Sequence, residues 1–187
     1  MPDEAFDARS AQLAAIYTSR MDPFLRRADE SIRASAGHLR IETLAHPSEA
    51  GWSGLDILEH LTLAFRANAA AMRKAVESGT TRGRQPSITQ ALGRFLVINL
   101  GYFPRVKAPE ATIPTRAIAP EQALQAILDG LATLDEAMTL AHNRFGPRAL
   151  VANHPYFGGL TTPQWAKFHW RHTVHHMKQL RKRVRTP

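Results

Sequence analysis

The stretch HWRHTVHHMKQL, residues 169–180, places four of the chain's nine histidines within eight positions. Imidazole is a common ligand for divalent metals and also titrates near neutral pH, so the cluster is read first as chemistry. In an α-helix successive residues turn by about 100°. His172 and His176 are four apart and project from nearly the same line, so both rings can reach one ion. The HExxH zinc proteases use that spacing. His169 and Gln179 fall on the same stripe, three residues to either side, whereas His175 points about 100° away from His176.

Two ligands do not hold a metal; a site wants three protein groups plus water, or four. Among the remaining histidines His60 is the best third ligand. It sits within DILEHLTLAF, on an otherwise apolar helix face, where burial of an imidazole is unfavourable unless it has a partner. His46 and His154 precede prolines in loops, and His38 and His142 lie near helix ends. Ordinary polarity is the competing reading, since a lone His–x₃–His pair or a lone core histidine needs no ion. A nucleophile made at the metal needs a proton acceptor. Asp56, one turn before His60, is better aimed than Glu59, although a carboxylate there also caps free helix N–H groups. Gln179 can orient a ligand from outside the coordination shell, and His169 can add a polar group at the rim.

The elements that must position these groups are helical. Asp22-Pro23 supplies a cap and first-turn proline for a helix to about residue 36, and EAFDARSAQLAAIYTSR before it has a helical pattern. Ser53 with Asp56 resembles a capping box that opens a second helix, carried by Leu58, Leu61, Phe65, Met72 and Val76 until Ser78-Gly79. Ser87 with Gln90 is another, opening ITQALGRFLVINLGYF. Pro104, Pro109, Pro114 and Pro120 mark a long irregular connection from Tyr102 to Pro120, of the kind that often covers a site or crosses the end of a bundle. Pro120 starts a helix with an apolar face at Leu124, Ile127, Leu128, Leu131, Leu134 and Met138, and Thr162-Pro163 caps the last, to about Val184. No β pattern or internal repeat emerges. The expectation is one all-α domain over residues 1–187, a four-helix bundle with long irregular connections and a helical N-terminal extension over 1–21.

Composition narrows the chemistry. With no cysteine in 187 residues, disulfides, zinc–thiolate fingers, iron–sulfur clusters and a cysteine nucleophile are excluded, so any metal must have nitrogen and oxygen ligands. No run approaches the roughly 18 apolar residues of a membrane span, and MPDEAFDARS does not resemble a secretory signal. A cytoplasmic protein with no membrane partner is expected. The net charge of +8 raises nucleic acid as a partner, but the bases are spread along the chain with one concentration, KQLRKRVR at 178–185, and no recognisable motif accompanies it. Nucleic-acid binding therefore ranks below the other readings.

The helix start WSGLDILEHL together with a terminal helix bearing HTVHHMKQL resembles the DinB/YfiT-like superfamily. NHPYFGGLTTPQWAKFHWRHTVHHMKQL is similar to a branch of it that joins a His-Pro-x-Phe-Gly loop to the histidine helix. The resemblance covers most of residues 22–184 in architecture and is specific only in those two regions. Lys178, where many relatives have glycine, departs from the pattern without touching a ligand. It implies a four-helix bundle with a metal site at His60, His172 and His176, and Gln179 three residues beyond the last ligand. Zinc or nickel leads among the implied ions, with iron and manganese also accepting imidazole. It further implies a metal-dependent transferase, some members resembling S-transferases that use a low-molecular-weight thiol, or a hydrolase acting on a small molecule. A homodimer is plausible for such a bundle. The alternative is a non-catalytic, metal-stapled bundle that works by association.

Overall fold

The computed structural model describes residues 21–47, 51–104 and 106–184. The expected helical extension over 1–21 lies almost wholly outside them. Four long helices carry the fold: α1 (Pro23–Ala36), α3 (Gly54–Ser78), α5 (Ala123–Phe145) and α6 (Thr162–Arg183). Two shorter ones, α2 (Ile41–Ala45) and α4 (Ile88–Arg94), lie in the connections. The architecture is an all-α bundle, as the periodicity predicts.

Each long helix begins where its chemistry dictates. The Asp22 carboxylate accepts from Phe24 N at 2.8 Å, and Pro23 supplies a first-turn residue whose missing N–H is not needed. Ser53 and Asp56 form a complete capping box, Ser53 Oγ accepting from Asp56 N and Asp56 Oδ2 accepting from Ser53 N. Gly79 closes α3 with φ 66°, the left-handed conformation that glycine adopts without strain. The box that opens α6 is formed by Thr161 with Gln164, one residue earlier than Thr162.

The helices bury their apolar stripes in one core. Leu25, Ala28 and Ile32 of α1, Ile57, Leu61, Phe65 and Met72 of α3, Ile127, Leu131 and Leu134 of α5, and Trp165, Met177 and Leu180 of α6 share it. α3 packs chiefly along α5, and α1 along α6. The two pairs leave one end of α3 facing the middle of α6, the placement a site shared between them requires.

Three connections differ from the expectation. The segment after Ser87 is α-helical only to Arg94 and continues as a π-helix over Phe95–Leu100, stopped by Gly101 at φ 70°. Pro120–Gln122 forms a 3₁₀ turn before α5 starts. A small antiparallel hairpin pairs β1 (Ala152–His154) with β2 (Gly158–Leu160), where no strand was expected. Strands of three residues, one of them rich in glycine, are too short to show an alternation. The hairpin is packed on a second chain segment: Gly159 N donates to Arg84 O at 2.9 Å, and Gly83 N donates to Leu150 O at 2.9 Å. A methyl group on Gly159 would lie 2.6 Å from Arg84 O and 2.9 Å from Arg84 N, both backbone atoms that cannot yield cheaply. Gly159→Ala is therefore expected to destabilise the fold by about 1–3 kcal/mol, read as a lower denaturant midpoint with unchanged slope.

Candidate metal centre

α3 carries His60 in its second turn and α6 carries His172 and His176 on one stripe, and the packing brings the three rings together. His60 Nε2 lies 3.4 Å from His172 Nε2, which lies 3.0 Å from His176 Nε2. Nitrogens bound to one ion at about 2.0–2.1 Å stand roughly 3.3 Å apart, so these separations suit a shared centre.

The hydrogen bonds at the far side of two rings decide which nitrogen is bare. His60 Nδ1 is 2.7 Å from Thr112 O, and a carbonyl only accepts, so Nδ1 carries the proton. His176 Nδ1 stands 2.9 Å from Gln179 Oε1 and donates in the same way. The Gln179 amide in turn donates to His175 Nε2 at 3.0 Å. In both neutral rings Nε2 then presents a lone pair inward. His172 Nδ1 has no partner among the described residues. Its ring is held by stacking on Phe168, with centroids 5.3 Å apart and 14° between planes, and by Phe103 at 5.8 Å. Trp52 covers His60 at 4.8 Å.

Burial keeps these rings unprotonated. Desolvation lowers the pKa of His60 and, reinforced by the neighbouring imidazoles, lowers that of His172 well below the usual value. His176 is lowered to about 3, chiefly by burial and then by His60 and His175. Three neutral nitrogens converging at neutral pH form a donor set suited to a divalent ion. His60 and His176 are buried and His172 is partly exposed.

The other residues singled out from sequence fall in different places. Gln179 touches the site, through His176. Asp56 serves the capping box; its Oδ2 also accepts from Ser53 Oγ at 2.8 Å, and Arg116 Nε approaches Oδ1 at 3.4 Å. Asp56 and Glu59 line a shallow cavity of about 380 Å³ with Arg116, Ile118 and Pro120, which none of the three histidines lines. His169 is fully buried rather than at a rim, stacked on Trp165 at 5.7 Å with its Nε2 3.4 Å from Asn68 Nδ2. The stripe that brings His172 and His176 to the site carries His169 one turn deeper into the core. Burial lowers both His169 and His154 to about 3.

Glu59 is the residue that sequence reasoning passed over. Its carboxylate accepts from Thr115 N at 3.1 Å, Thr115 Oγ1 at 3.0 Å, Ala117 N at 3.2 Å and Arg116 N at 2.9 Å. The chain wraps around it, with Arg116 at φ 60°. Thr112, whose carbonyl orients His60, is three residues upstream. Adjacent residues of α3 thus grip two points of one loop, and an acid beside a candidate ligand was the only signal in the sequence.

Residues 26–183 match the family described as protein of unknown function (DUF1569), and the chain belongs to it. No curated protein and no solved structure matches the chain.

Two outcomes are expected of this arrangement. Glu59→Ala releases the loop that carries Thr112 and should weaken zinc binding about 10–100-fold, the usual effect of removing support behind a ligand, as measured by competition with a chromogenic chelator. Acid should destabilise the metal-free protein. An unfolded imidazole takes a proton near 6.5 and folded His169 only near 3, so between those values the unfolded state holds more protons. Stability is complete above about pH 6.5 and is lost as pH falls towards 3. His169→Phe should remove one such group, reducing the loss between pH 7.5 and 5 by about 2 kcal/mol in denaturant titrations.

Proposed function

We propose that the chain is a metal-dependent protein of DinB/YfiT-like type, in which His60, His172 and His176 hold one divalent ion and the site acts on a small molecule. One observation carries the reading: the protons fixed on His60 Nδ1 and His176 Nδ1 turn both Nε2 lone pairs towards His172 Nε2. The motif resemblance supports the superfamily, to which the matched family is assigned here. Bound there, an ion supplies Lewis acidity and activates a nucleophile near neutral pH. The chain's own residues fix the ring tautomers through Thr112 and Gln179 and cover the His60 ring with Trp52, while His172 is the least buried of the three.

The reaction best suited to this equipment is transfer or hydrolysis. A chain with no cysteine would take any thiol nucleophile from a low-molecular-weight cofactor. Zinc and nickel suit an all-imidazole donor set, and iron and manganese remain alternatives. A second reading, a structural staple joining α3 to α6, draws on the burial of His60 and His176 and the aromatic cover of Trp52.

Protein purified without an affinity tag should hold close to one equivalent of divalent metal by elemental analysis, and His176→Ala should lose it. Absence of metal from the wild type, even after incubation with zinc or nickel, overturns the proposal. Cobalt-substituted protein separates its two forms: azide or a small thiol alters the visible spectrum of an open site and leaves a sealed staple unchanged.

A further inference from the structure

The segment that follows α3 carries a surface no part of the site explains. Ten large apolar side chains are exposed among the described residues, and six of them, Ile88, Leu92, Phe95, Leu100, Tyr102 and Val106, fall within nineteen consecutive positions. Ile88 is 89% exposed and Leu92 60%, well beyond the scattered exposure that every surface shows. α4 and the π-helix run on from one another over 88–100, and Ile88, Leu92, Phe95 and Leu100 follow an outward stripe while Val97 and Ile98 anchor the other side in the core. The helix thus lies along the surface, held from beneath.

Its electrostatics are one-sided. Between Glu77 and Glu110 the sequence has no acid and five bases, Arg82, Arg84, Arg94, Arg105 and Lys107. α6 adds two more beside the stripe, and both are met by neutral groups: Lys167 Nζ donates to Asn99 Oδ1 at 2.9 Å and Arg171 Nη2 to Asn99 O at 3.1 Å. The salt bridges among the described residues pair Asp29, Glu42, Glu136 and Asp56 with arginines elsewhere and touch none of Arg82, Arg84, Arg94, Lys107, Lys167 and Arg171.

We propose that this ridge is a docking surface for an anionic lipid bilayer, on which the helix over 88–100 lies in the plane of the interface. An outward row of aliphatic and aromatic side chains with uncompensated cations along its flanks is what partition into an anionic headgroup layer requires. A second copy of this chain would bring two sets of like charges together across the same face. Nucleic acid would satisfy the cations and leave the isoleucine and leucines in water. The segment contains no membrane span, and none is needed for a surface contact. The inference stands apart from the metal reading, although the segment continues into Phe103, whose ring lies 4.7 Å from that of His175.

The test is co-sedimentation of the full chain with vesicles of phosphatidylcholine, alone or with about a quarter phosphatidylglycerol. Binding should appear on the anionic vesicles at low salt, be weak on the neutral ones, and fall as salt screens the cations. Leu92→Glu with Phe95→Glu should lower it roughly tenfold or more with an unchanged melting midpoint, since both side chains are exposed. Lys107→Glu with Lys167→Glu should lower binding to the anionic vesicles alone, by roughly thirty-fold or more. Failure to bind anionic vesicles at low salt overturns the proposal, as does binding that survives the Leu92/Phe95 variant in its folded form. A concentration-dependent dimer that this variant dissolves, without vesicle binding, assigns the face to a second copy instead.

Discussion

The hydrogen bond from His60 Nδ1 to the carbonyl of Thr112 is the constraint on which the candidate centre depends. It fixes a proton on one nitrogen, and so decides that the other has a lone pair to offer. It also joins residues 52 positions apart, a helix and an irregular loop, and so it needs a loop that holds still. The Glu59 carboxylate meets that need with three backbone N–H groups and a hydroxyl, the kind of saturated, charge-assisted anchorage that persists in a partly buried setting. Helix α3 therefore does two things with adjacent residues: one side chain fixes the loop, and the next uses it.

The same helix shows how a cap can serve a site at a distance. Ser53 and Asp56 set where α3 begins, and its register places Glu59 and His60 against the loop. Packing of α3 along α5 and of α1 along α6 then sets the separation between His60 and the α6 stripe. None of these contacts involves the three Nε2 atoms, yet each acts on their spacing. A buried cluster of neutral imidazoles, with lowered pKa values and fixed tautomers, is the electrostatic result.

Periodicity and capping chemistry made the bundle legible in the sequence, because helix starts and apolar stripes are local signals. The three histidines were legible too, two from their spacing and the third from being a polar residue on an apolar face. His169 was misplaced because position on a helical wheel gives direction but not depth. The role of Glu59 was out of reach, since it depends on where residues 112–117 pass, and an irregular loop has no period to read. The hairpin of β1 and β2 escaped for a related reason: its pairing rests on glycines that admit a second backbone at close range, a property of the partner segment as much as of the residues themselves.

The three rings are not equally secured. Those of His60 and His176 are tied by hydrogen bonds on their outer nitrogens, while the outer nitrogen of His172 has no partner among the described residues and its ring lies against Phe168 and Phe103. Stacking holds the plane of this ring but, unlike a hydrogen bond on Nδ1, does not decide which nitrogen carries the proton. An ion held there would meet two nitrogens whose tautomers are already set and a third whose proton the ion itself would have to displace or redirect.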